Sequence, residues 1–124
     1  MEDFTKISLC GQAEARPDLS ETAGPNARPT ASFWLRIVRR WQGRVTNDVC
    51  EDTLFVRCHC IGYQANSAKK YVLPGVRVMV EGYLRSLTAP DENGQARTEY
   101  FVQVEHLAYL SPREVMEAST KATP

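Results

Sequence analysis

The chain has 124 residues, 43% of them hydrophobic, and its 15 basic and 15 acidic side chains give zero net charge. That length suits one domain around one core, the apolar fraction excludes global disorder, and no run approaches the ~18 consecutive apolar residues of a membrane-spanning helix. The opening Met1-Glu2-Asp3-Phe4 lacks the basic-then-apolar order of a secretory signal. A cytoplasmic location is therefore expected, with the four cysteines, at positions 10, 50, 58 and 60, as free thiols.

In chain order, residues 6–11 alternate, with Ile7 and Leu9 on one face, and predict a first strand. Residues 12–30 hold Pro17, Gly24, Pro25, Asn26 and Pro29 and predict a long exposed loop. In residues 32–39, Phe33, Leu35 and Ile37 fall on one side and Trp34, Arg36 and Val38 on the other, a second strand. A polar connection, residues 42–52, leads to a third strand at 53–61. There Leu54, Val56, Cys58 and Cys60 share one face and Phe55, Arg57, His59 and Ile61 the other. Residues 63–72 predict the one helix, stopped by Pro74-Gly75. A fourth strand, 76–85, turns Val76, Val78, Val80, Gly82 and Leu84 inward and Arg77, Met79, Glu81, Tyr83 and Arg85 outward. Pro90-Asp91-Glu92-Asn93-Gly94 reads as a turn, a fifth strand runs from about 98 to 107, and residues 111–124 form a short polar tail.

Five strands with a helix between the third and fourth is the order of the OB-fold, an all-β barrel spanning residues 1–110 here. Charge is unevenly spread. Residues 1–27 carry five acids against two bases, whereas residues 28–44 carry Arg28, Arg36, Arg39, Arg40 and Arg44 and no acid. Such a block produces a local positive field despite the zero sum. Cys58-His59-Cys60 does not form a metal centre, because alternate strand positions point the histidine away from both thiols. With only His59 and His106 available, no nucleophile–base–orienter set is apparent, so neither catalysis nor a cofactor is expected.

Read as continuous text, Phe55-Val56-Arg57, Gly62, Ala65, Tyr71-Val72, Gly75 and Val78-x-Val80-Glu81-Gly82-x-Leu84-Arg85 resemble the bacterial single-stranded DNA-binding protein family. Asp91-x-x-Gly94-Gln95-x-Arg97 continues the match, and upstream Lys6-Ile7-x-Leu9-x-Gly11 and the strand ending in Trp41 also fit. The resemblance covers roughly residues 5–107. It implies a non-catalytic OB domain, assembled as a homodimer or homotetramer, that wraps single-stranded DNA in replication, recombination or repair. Carried over position by position, it implies stacking at Trp41 and Phe55. It departs at Ile61 and Ala89, where the family commonly has a phenylalanine and a tryptophan.

The outward aromatics Trp34 and Tyr83 are candidates to compensate, since every base offers a π-face for stacking. The candidate phosphate contacts are Arg36, Arg40, Arg44, Arg57 and Arg85, with Lys69 and Lys70 as weaker ones. The end of the chain, Ser119 to Pro124, lacks the family's acidic, hydrophobic-tipped tail, so the reading is of a tailless or divergent member. Two other readings share the barrel: a replication-restart accessory protein that binds DNA weakly and contacts a helicase or its loader, and a protein-interaction module without nucleic-acid binding.

Overall fold

Among the described residues the chain forms six strands and one helix: β1 (Ile7–Ala13), β2 (Asp18–Glu21), β3 (Pro29–Gln42), β4 (Val49–Ile61), α1 (Tyr63–Tyr71), β5 (Arg77–Pro90) and β6 (Ala96–Tyr109). The computed structural model describes residues 1–110, so the tail expected from residue 111 lies outside the described residues. β3 pairs antiparallel with β4, and β4 pairs parallel with β6 through Cys58↔Val102 and His59↔Gln103. β6 pairs antiparallel with β5, β5 with β1, and β1 returns to β3 through Gln12↔Arg36 and Ala13↔Leu35. Those five strands close into the expected barrel, and closure removes most of the free sheet edge.

The inward positions of the barrel fill its centre. Phe33 and Leu35 of β3, Cys58 and Cys60 of β4, Val78 and Val80 of β5, and Val102 and Val104 of β6 are all buried. α1 covers one end with Ala65 and Ala68, and the chain after it buries Val72 and Leu73. Gly62 starts this helix at φ 71°, and a Cβ there would meet the Arg28 guanidinium. Gly82 sits at a register shift between Glu81 and Gly82, where β5 crosses β6 so closely that a Cβ would strike the Gln103 carbonyl. The glycine of the Val-Glu-Gly run is thus a requirement of strand packing. Among the described residues no helix is long and apolar enough to cross a membrane.

Three expectations need correction. Residues 12–30 are not a continuous loop: β2 lies along β3 with Asp18↔Ser32 and Ser20↔Thr30 in register. All four β2 residues are exposed, so no buried face marked the strand, and its backbone pairing with β3 supplies its order. The polar connection at 42–52 shrinks to residues 43–48, because β3 and β4 stay paired out to Gln42↔Val49. The strands leave the core there and continue as a two-stranded ribbon. Likewise Leu84 has inward parity on β5 but is 42% exposed, since it stands where the β5–β6 ribbon leaves the barrel.

Candidate nucleic-acid interface

Directly opposed residues of an antiparallel ladder share a face. Trp34 opposes Arg57, and Arg36 opposes Phe55. On the outer side of β3–β4 this makes a checkerboard of two rings and two guanidiniums, with Trp34 50% and Phe55 53% exposed. Arg36 donates from Nη2 to Gln12 Oε1 at 3.0 Å, and its Nε lies 3.1 Å from Glu14 Oε1. Arg57 Nη1 lies 3.8 Å from Glu99 Oε2. Farther along the same face Arg40 opposes Glu51, with Nε 3.1 Å from Oε2. These ion pairs are exposed, and exposed pairs are worth about 0–1 kcal/mol. A phosphate therefore displaces such a carboxylate at small cost.

In the other direction the face continues to Ser32 and His59, whose hydroxyl and Nδ1 are 3.0 Å apart. Burial, then the Arg57 and Arg85 charges, hold the His59 pKa below its usual value. Because β4 pairs with β6, His59 meets Phe101 edge-on, with centroids 5.8 Å apart at 75°. Arg85 opposes Phe101, places its guanidinium 5.5 Å from the ring centroid and donates to Gln103 Oε1 at 3.1 Å. Buried Gln103 in turn donates to the His59 carbonyl at 3.3 Å, tying β6 to β4. Tyr83 opposes Gln103 and is 38% exposed.

The structure brings Trp34, Arg36, Arg40, Phe55 and Arg57 onto one face, with Arg85 and Tyr83 on the outward side of the neighbouring β5–β6 pair. It does not bring Trp41 there. Trp41 opposes Cys50 and so projects from the reverse of the ribbon, with the Arg39 guanidinium 4.9 Å from its ring centroid. Arg44 lies in the turn between β3 and β4, and Lys69 and Lys70 lie in the last turn of α1, beyond the opposite end of β4. Ile61 is half-buried opposite Thr30, and Ala89 is exposed opposite Arg97. Cys58 and Cys60 face the core, where burial above all pushes both thiols up to about 12.

Sequence reasoning passed over Phe101, His59 and Gln103. A usable signal existed: with Val102 and Val104 inward, period two turns Phe101 and Gln103 outward. Their adjacency to His59 had no local signal.

A family model described as the single-strand binding protein family matches residues 4–110. The chain belongs to the single-strand binding protein family. The single-stranded DNA-binding proteins of Mycobacterium bovis and Mycobacterium tuberculosis are 28% identical to it over 108 residues, covering 86% of this chain. The chain spans 65% of the length of these curated relatives. Among solved structures, a Plasmodium falciparum SSB in complex with ssDNA matches at a TM-score of 0.77 and 23% identity, over 90% of this chain and 98% of that one. A deletion mutant of the single-stranded DNA binding protein from Thermus aquaticus matches at 0.72 and 22% identity, over 88% of this chain and 51% of that one. These solved structures share the fold of this single-strand binding family member.

Proposed function

We propose that this member of the single-strand binding protein family binds single-stranded DNA without catalysis and with little sequence preference. The observation that carries the reading is the exposed checkerboard of Trp34, Arg36, Phe55 and Arg57. Rings at diagonal ladder positions stand about 7–8 Å apart, within reach of neighbouring bases of one strand. Each stacked base contributes ~1–3 kcal/mol irrespective of identity, and the guanidiniums between the rings meet the phosphates. The strand then follows Arg40 and Arg44 to the ribbon end, where Trp41 offers a further ring on the reverse side. Tyr83 and Arg85 flank the other end of the path.

Residues 1–110 act as the OB domain, residues 111–124 as its tail, and the setting is DNA replication, recombination or repair in the cytoplasm. Residues Ile7–Gly11 of β1 pair only with β5 among the described strands. That half-free edge suits assembly as a homodimer or homotetramer.

Titration of the full chain with oligo-dT at two salt concentrations tests the reading. Tryptophan fluorescence is expected to quench, and the affinity is expected to fall steeply as salt rises, with a log–log slope of ~0.7 per phosphate contacted. Arg36→Ala and Arg57→Ala should each lower that slope by about 0.7. Absence of quenching and of binding at low salt would refute the function.

A further inference from the structure

Between β2 and the β5–β6 ribbon, the outer faces of β4 and β6 form a groove of about 480 Å³. Arg57, His59, Arg85 and Phe101 line it, with Leu19 of β2 and Leu87 of β5 among its apolar groups. Arg57 belongs both to this groove and to the checkerboard, so a strand lying on Trp34 and Phe55 continues into it. We infer that the groove is a base-holding subsite in which one unpaired nucleobase of the bound strand packs against Phe101 and the Arg85 guanidinium. The inference rests on the single-stranded DNA reading and adds to it a ring, Phe101, at a position where no stacking role was anticipated.

Charge decides between a base and a phosphate as the occupant. Three carboxylates, Asp18, Glu21 and Glu99, line the groove against two guanidiniums. Arg57 is shared with the phosphate path of the checkerboard, Arg85 is engaged by Gln103 Oε1 at 3.1 Å, and His59 is held towards its neutral form. An anion entering here meets a field that is neutral to negative and gains little. An uncharged planar ring incurs no such repulsion and gains dispersion and stacking contacts from Phe101. Arg85 adds a second planar group, fixed by its hydrogen bond to Gln103; guanidinium planes stack on bases much as rings do. With Ile61 and Ala89 at two positions where the family resemblance places rings, Phe101 restores one platform from a different strand.

The test is anisotropy of labelled oligo-dT with the full chain, comparing wild type, Phe101→Leu, Phe101→Ala and Phe101→Trp at several salt concentrations. Phe101→Leu keeps an apolar side chain against His59 and so protects the fold. It is expected to weaken binding about 5- to 150-fold, the range of one stacked base, while leaving the salt slope unchanged. Phe101→Ala should lose at least as much, and Phe101→Trp should retain wild-type affinity. Wild-type binding with Phe101→Leu within twofold of it overturns the subsite and leaves the function standing. A Phe101→Leu slope lower by about 0.7 overturns the base assignment in favour of a phosphate. A Phe101→Leu loss that tracks dissociation of oligomers in sedimentation overturns it in favour of a second copy in the groove. A wild type that fails to bind overturns both.

Discussion

Two ribbons leave the same barrel, and they differ in their aromatic side chains more than in their charge. β3–β4 extends past the core with Arg39, Arg40 and Arg44 balanced by Asp48, Glu51 and Asp52, and with Trp41 among them, whereas β5–β6 ends in Asp91, Glu92 and Arg97 with no aromatic residue between Leu87 and Thr98. Both are antiparallel pairs of 13- or 14-residue strands with solvent on both faces at their tips. Backbone geometry therefore does not select where a polyanion lies. The alternation of exposed rings with guanidiniums on one face of β3–β4 does. The barrel is thus a neutral frame, and the candidate interface is written on one ribbon and its seam with the other.

The checkerboard carries most of the expected binding energy. Trp34→Ala combined with Phe55→Ala should weaken oligo-dT binding at least about 30-fold, two bases at ~1 kcal/mol or more each, as read by anisotropy. An affinity within threefold of wild type would move the interface off β3–β4. Gly82→Ala sharpens the role of β5–β6 as frame. A Cβ driven against the Gln103 carbonyl should cost about 1–3 kcal/mol of stability, which lowers the thermal midpoint by several degrees. DNA affinity measured well below that midpoint should be nearly unchanged.

Trp41→Ala compares the two faces of one ribbon. Trp41 projects from the reverse side and already packs with Arg39, so its loss should cost about fivefold or less, clearly below Trp34→Ala. Equal losses would mean that the strand engages both faces alike.

The smallest effect concerns His59, at the seam of the ribbons. Its folded-state pKa is depressed by burial and then by Arg57 and Arg85, so the unfolded chain takes up this proton first as pH falls. The sign follows: His59 leaves stability untouched above about 6.5, the unperturbed value, and subtracts from it as pH falls below. Thermal melts between pH 7.5 and 5.5 should show a decline that is shallower in His59→Gln. Identical slopes would mean that neither burial nor the Arg57 and Arg85 charges act on the imidazole in the folded protein.

The outer set Trp34, Arg36, Phe55 and Arg57 was legible because period-two alternation assigns faces without any knowledge of partners. The same rule turned Cys58 and Cys60 inward. Trp41 shows where this reading stopped short. It shares parity with Phe33 and Leu35, and its position in the family pattern said nothing about which side of the ribbon it takes.

The amino-acid sequence alone determined five of the six described strands in their chain order, the helix between the third and fourth of them, and which of their side chains alternate outward, because those follow from local periodicity and turn chemistry. Only the tertiary structure decided that β2 pairs with β3, that β3 and β4 continue as a ribbon, and that Phe101 stands beside His59. Pairing between strands distant in the chain is set by barrel closure and by close approaches such as Gly82 on Gln103, which leave no periodic trace in either strand by itself.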